Sequence, residues 1–449
     1  MNGKGFYNFF ALYFKECKKV LLSLTFLLYT AAIFAMYYTQ FESEMRGAEI
    51  EPKPGLSSYG TVVREVPEVL MPRALDTLVQ EYQTNSYVAY PIGFYKEVHL
   101  TGKKREKMAE IIGELTGVSR EELDNFLEGD KEDDKDNKFE FTVGEEDGLR
   151  KDGDNNFVVD GNGNFRAGEL DFAEYPLSEE ITYERFRELM RKADDLIGGG
   201  SRYSDKYILH NFSQVPKTYE EAMAEYQQFI EEDKITGAYA RLYCDYIGMM
   251  LSILPVFVAV SLMQLDRKAR MEALVYSRRI SSAKIISARY AALVSGMFLP
   301  VIVTTVAAQK MVMELYPGAK MDLFALARYA IIWMLPAIMA VAAVGMLLTE
   351  LAGGLLAIFI QGAWWFADVF SGSLTGGIRK FNLVIRHNSL YKLDIFQKEY
   401  SDFLFNRIFF VVLALLLVAL TTMIYEEKRR GRNIGIRALV KNYKNQSAI

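Results

Sequence analysis

The chain carries one apolar stretch near its N-terminus, then about 200 mainly polar residues, then five apolar stretches in close succession. A bilayer core needs about 20 mostly apolar residues in a helix. Six segments meet that need: Val20 to Phe41, Tyr243 to Leu265, Ile285 to Ala308, Ala325 to Leu348, Leu351 to Phe370, and Leu404 to Tyr425. The pattern therefore predicts an α-helical membrane protein with six transmembrane helices and a polar domain, residues 42–242, inserted after the first. The first stretch is too long for the apolar core of a signal peptide and no A-x-A cleavage site follows it, so it reads as an uncleaved anchor. Ahead of it, Phe6, Tyr7, Phe9, Phe10, Tyr13 and Phe14 stand at near-helical spacing. Residues 1–19 thus read as an amphipathic helix lying in the interface, with an inward extension of the first span as the alternative.

The inserted domain mixes helix and strand signals, which makes it α+β. Ser119 with Glu122 and Thr218 with Glu221 form capping boxes, and Thr182 opens a helix that Gly198, Gly199 and Gly200 close. Alternation over Phe139 to Val143, and the glycine-rich turn between Phe157 and Phe165, predict strands, the latter as a hairpin. Oxygen-bearing side chains at alternate positions, Asp152, Asp154 and Asn156 and then Asp160, Asn162 and Asn164, suggest calcium. Neither run has the glycine an EF-hand needs at its sixth position, where Phe157 and Phe165 stand, so a plain hairpin tip is the favoured reading. His99, His210 and His387 are too scattered to show ligand spacing.

Charge then orients the layout. Residues 42–242 hold 44 Asp/Glu against 25 Lys/Arg in a chain whose net charge is only −5, so the remainder is strongly basic. So acidic a block argues against nucleic acid as a partner, because phosphate contact needs clustered Lys and Arg. Placing both termini on the cytoplasmic side gives 18 Lys/Arg to the N-terminal stretch, residues 266–289 and the 426–449 tail, against 9 for the short outer loops together with Arg328 and Arg407 at their edges. By the positive-inside rule the acidic domain is extracytoplasmic in the cell membrane. The last outer loop, 371–403, runs against this trend with Arg379, Lys380, Arg386, Lys392 and Lys398.

Several chemistries are missing from the sequence. There is no G-x-x-x-x-G-K-[ST] phosphate loop, no G-x-S-x-G elbow, no H-E-x-x-H pair and no C-x-x-C motif. The chain is therefore not expected to be an enzyme or to bind a cofactor. Asp245, Arg289, Arg328, Asp368 and Arg407 all fall toward the ends of spans, where snorkelling lowers the cost of a charge. Empty span centres disfavour an ion-coupled carrier. Energy would come from a partner, and the place for one is the inner loop of residues 266–284. There Met271, Leu274 and Val275 recur at helical spacing among Arg267, Arg270, Glu272, Arg278 and Arg279. A basic helix resting on anionic lipid is the competing reading.

In its layout, and in the wording of Met271 to Ile286, Asn406 to Phe409 and Ile424 to Gly431, the chain resembles the membrane subunits of ABC transporters of the ABC-2 type. That resemblance implies two permease copies or paralogues working with separate ATPase subunits that hold ATP and Mg, with export as the expected direction. It makes residues 266–284 a coupling helix, with Arg267, Arg270, Met271, Glu272, Leu274, Val275, Arg278 and Arg279 its contacts, and turns loop 371–403 into a re-entrant segment. Gln361, with Trp364 and Trp365, lies in the fifth span either on a translocation path or in helix packing, the latter favoured. A membrane-anchored sensor or receptor whose outer domain binds a peptide or other ligand is the alternative function.

Overall fold

The computed structural model describes residues 3–47, 51–56, 58–91, 95–117, 177–370, 378–387 and 389–432, together with the backbone of 157–159 and 165–167. Two compact units divide the chain: residues 52–222, and residues 1–51 combined with 223–449.

In the second of these, five helices are long and apolar enough to cross a membrane: Leu24–Arg46, Thr236–Lys268, Ser282–Leu315, Ala325–Leu351 and Tyr400–Arg429. They mark a membrane-embedded, multi-pass protein. The expected fifth span is the shorter helix Gly354–Phe370, 17 residues long. At 1.5 Å per residue that is about 25 Å, less than a bilayer core of about 30 Å. Its start is set by Gly353, whose φ of +104° breaks it from the helix before.

The N-terminal helix Gly3–Leu21 is separate from the first long helix. Ser23 takes an extended conformation between them, and its hydroxyl accepts the Phe26 N–H at 3.1 Å, the geometry of an N-cap. Glu16 and Val20 are buried while Phe14 is 65% exposed, so the helix has one face on protein and one off it. A Cβ at Gly296 of the third long helix would meet Val20 at 3.1 Å, so the missing side chain is what lets the two helices approach.

The second long helix begins at Thr236, seven residues earlier than its hydropathy suggested, because Ala238, Tyr239 and Ala240 are buried in the membrane unit's core. Between its halves, Thr236–Leu251 and Pro255–Lys268, the helix is broken. Pro255 has no N–H to give, and Val256 donates to Ile253 instead of reaching back a full turn. Pro336 in the fourth helix is absorbed differently, by a π-turn over Ala330–Met334 just ahead of it.

Residues 52–222 form a smaller α+β unit. Helices Pro67–Thr84, Lys103–Thr116 and Tyr183–Ile197 bury Leu75, Leu78, Ile112, Leu115, Phe186 and Met190 against one another. Strand β1 (Thr61–Val63) runs antiparallel to a distant partner at Gln214–Pro216, and β2 (Tyr87–Ala89) pairs with β3 (Lys96–Val98). The hairpin expected around Gly161 is present in the backbone as β4 (Phe157–Val159) and β5 (Phe165–Ala167), with Val159 opposite Phe165. Thr182 caps its helix by accepting the Arg185 N–H, and Gly198 ends it in the left-handed region. Thr218 and Glu221 make the reciprocal bonds of a capping box, at 3.2 and 3.1 Å. Ser119, Glu122 and the strand at 139–143 lie outside the described residues.

Candidate coupling site

The loop of residues 266–284 is shorter in helix than its periodicity suggested. Arg270 adopts a φ of 55°, which ends the second long helix, and Met271 N–H closes back on the Asp266 carbonyl at 2.8 Å. Ser281 then accepts the Lys284 N–H and starts the third long helix. Only Glu272–Tyr276 remain for an α-helix, a single turn and a fraction.

That turn divides its apolar stripe. Val275, with Tyr276 and Ile280, packs against the membrane unit's core, whereas Met271 and Leu274 are 43% and 51% exposed. Arg267, Arg270, Arg278 and Arg279 are exposed around them, and Arg267 holds Glu272 at 2.9 Å. A five-residue helix has too few bonds to stand alone, so something must hold it. Arg429, at the end of the last long helix, does so: its guanidinium donates to the carbonyls of Tyr276 at 2.9 Å, Ile280 at 2.6 Å and Arg278. A cation on these C-terminal carbonyls satisfies acceptors the helix leaves open. The Tyr276 ring meets Tyr425 edge-on at 5.4 Å, and burial pushes its phenol up to about 12, so it stays neutral.

Charges around this loop join the helix ends. Glu426 accepts from Ser282, Lys428 pairs with Glu350 at 3.0 Å, and buried Arg289 pairs with Asp266 and, at 3.7 Å, with Glu16 of the N-terminal helix. Four long helices and the N-terminal helix are therefore tied together on the side that carries the loop. Sequence reading missed Arg429 and Glu426 as holding groups. The basic run 428–430 was visible, but a count of charges does not say which carbonyls a guanidinium will reach.

The other expected site residues fall elsewhere. Gln361 is fully buried and donates to the Ser252 carbonyl at 2.8 Å, using an acceptor that the break at Pro255 leaves without its ladder partner. Trp365 donates to the Met249 carbonyl at 3.1 Å, and Trp364 lies against Phe410 with centroids 6.0 Å apart. All three make helix-to-helix contacts. Asp152, Asp154, Asp160 and Asn162 lie outside the described residues, and among the described residues no cluster of three metal-ligating side chains occurs.

Snorkelling does not account for most of the charges at the ends of spans. Only Arg328 is exposed; Asp245, Arg289, Asp368 and Arg407 are buried, because each has protein partners. Loop 378–403 supplies most of them. Asp245 accepts the His387 N–H at 2.8 and 3.0 Å, and Asp368 accepts those of Leu383 and Val384. Arg407 donates to the carbonyls of Trp333 at 2.9 Å and Leu383 at 3.2 Å, while Asn406 reaches those of Arg379 and Asn382, both at 2.8 Å. Irregular backbone buried in a membrane unit needs partners of this kind. Gly372, Gly376 and Gly377 lie outside the described residues.

No protein-family model, no curated protein and no solved structure matches this chain.

Proposed function

We propose that the chain is the membrane-spanning subunit of an ATP-driven exporter of the ABC-2 type, working as a pair with separate ATPase subunits that hold ATP and Mg. The observation that carries this reading is the short helix Glu272–Tyr276. It presents exposed Met271 and Leu274 within a ring of arginines while Arg429 fixes its far side to the last long helix. An apolar pair inside a charged rim is the make-up of a protein contact. A helix fastened to the ends of several long helices can pass a push on to them. In this reading residues 42–242 are extracytoplasmic, both termini are cytoplasmic, and loop 371–403 is re-entrant.

The test is purification in mild detergent with identification of accompanying chains. A soluble ATPase carrying a P-loop is expected with the unaltered protein. Leu274→Asp, and the charge reversals Glu272→Lys, Arg278→Glu and Arg279→Glu made together, should lower its recovery by about tenfold or more, as expected for central contact residues. Undiminished recovery from both variants would remove the coupling role. Absence of any ATPase, with a ligand held by residues 52–222, would favour the sensor reading.

A further inference from the structure

Where the chain re-enters the membrane unit, its backbone is forced into an unusual shape. Helix Tyr219–Glu231 leads to the second long helix through two consecutive residues with positive φ, Lys234 at 50° and Ile235 at 60°. Glycine takes such values freely and a β-branched residue does not; among the described residues Ile235 is the only β-branched one that adopts them. With ψ at −58° and the Thr236 N–H on the Lys234 carbonyl at 2.5 Å, Ile235 is the centre of a γ-turn of the rare, strained hand. Its side chain is buried in the core that also holds Phe229 and Tyr239.

Strain persists only where the surroundings impose it, and here an ion pair does. Arg241 donates to both oxygens of Asp233, to Oδ1 at 2.8 Å, and both side chains are buried. Asp233 stands just before the turn and Arg241 in the helix after it, so the pair clamps the turn from both ends. A Cβ at Gly237 would collide with the Asp233 carboxylate, so the missing side chain is what admits the clamp. Arg241 also lies 5.3 Å from the centroid of the Phe396 ring, a cation–π contact it keeps if Asp233 leaves. Parting the pair leaves two buried charges unmet, which opposes release. The strain of the turn favours it.

We propose that this turn is a spring-loaded joint with the Asp233–Arg241 pair as its latch. Withdrawing Asp233 lets Lys234 and Ile235 return to negative φ, which re-aims helix Tyr219–Glu231 on the second long helix. That helix contains the boundary between the two units, at Ala222 and Met223, so a change in residues 52–222 reaches the latch along one continuous element. Re-forming the pair resets the joint, Arg241 being kept in place meanwhile by Phe396. The device is independent of the transport reading and stands whether or not an ATPase joins the chain.

Electron–electron distance measurement on the full chain in nanodiscs tests it, with spin labels at Gln227→Cys and Lys320→Cys, both exposed positions of the membrane unit, after Cys17→Ser and Cys244→Ala. The latched joint should give one distance. Asp233→Asn should bring a second distance to about half of the molecules, a shift of about tenfold in the balance for strain of this kind. Adding Lys234→Gly, which removes the steric cost of a positive φ at an exposed position, should reverse most of that shift. A joint under no strain gives the opposite result, because glycine only adds freedom. With the latch intact, Lys234→Gly should raise the unfolding temperature by about 2 °C relative to Lys234→Ala, a readout that holds even if Asp233→Asn fails to fold. A single distance in Asp233→Asn, a broader distribution on adding Lys234→Gly, or no gain in unfolding temperature over Lys234→Ala would overturn the proposal.

Discussion

The two ends of the membrane unit use buried charge in opposite ways. Around the loop of residues 266–284, the buried charges pair with side chains, Arg289 with Asp266 and Glu16 and Lys428 with Glu350, and only Arg429 is given to backbone, gripping the loop from one side while its other face stays open. Around loop 378–403, charged and amide side chains spend themselves on backbone: Asp245, Asp368, Asn406 and Arg407 between them hold amides and carbonyls from Arg379 to His387. Pairs between side chains can exchange partners as helices shift. A carboxylate fixed on two consecutive N–H groups has no such freedom. One end can thus rearrange by exchanging ion pairs, and the other keeps its shape.

The comparison breaks most readily at Arg407. Arg407→Met leaves the carbonyls of Trp333 and Leu383 and the Asn406 amide short of a donor, and should cost about 3–5 kcal/mol, the usual penalty for opening a buried charge network. Thermal unfolding in detergent would register it as the largest drop in this series. Arg289→Met at the other end should cost less, about 3 kcal/mol, because its loss leaves carboxylates that can be neutralised. Adding Glu16→Gln and Asp266→Asn should restore at least half of it; no recovery would mean that Arg289 acts through packing and not through charge. Arg429→Gln should move global stability least, by about 1 kcal/mol. Its effect is local: amide exchange over residues 272–280 should speed by about tenfold as the turn loses its holder. If Arg429→Gln destabilised the whole unit as much as Arg407→Met, the contrast between the two ends would fall.

Much of this architecture was legible from hydropathy, because long apolar runs have few places to go but a bilayer. The starts and stops were less so. Thr236 to Leu242 carry Arg241 and look like domain sequence, yet Asp233 pairs with that guanidinium and lets the segment enter the core. Local signals with a single physical cause read well: the caps at Thr182 and Thr218, and the pairing of β4 with β5. The site was legible only in part. Met271, Leu274 and Val275 repeat as a helical stripe, but the repeat cannot reveal that Arg270 turns left-handed and cuts the helix short, or that Val275 faces inward alone. The anomalous positive charge of loop 371–403 was visible as a conflict with its neighbours; Arg386 and the Leu383–Ile385 stretch are buried, whereas Arg379, Lys380, Lys392 and Lys398 are exposed, so burial in protein accounts for one of those five charges.

The interruption at Pro255 makes the second long helix a crease and not a beam. With the Ser252 carbonyl already outside the ladder, swivelling the half after Pro255 puts few main-chain bonds at risk, and the side-chain bond that Gln361 supplies to that carbonyl is worth about 1 kcal/mol. Torque arriving at Arg267 and Lys268 would be spent at that crease before it reached Tyr243, whereas the helix Gly354–Phe370, whose Ala357 packs with Val256 and Val260 just after the crease, would feel it directly.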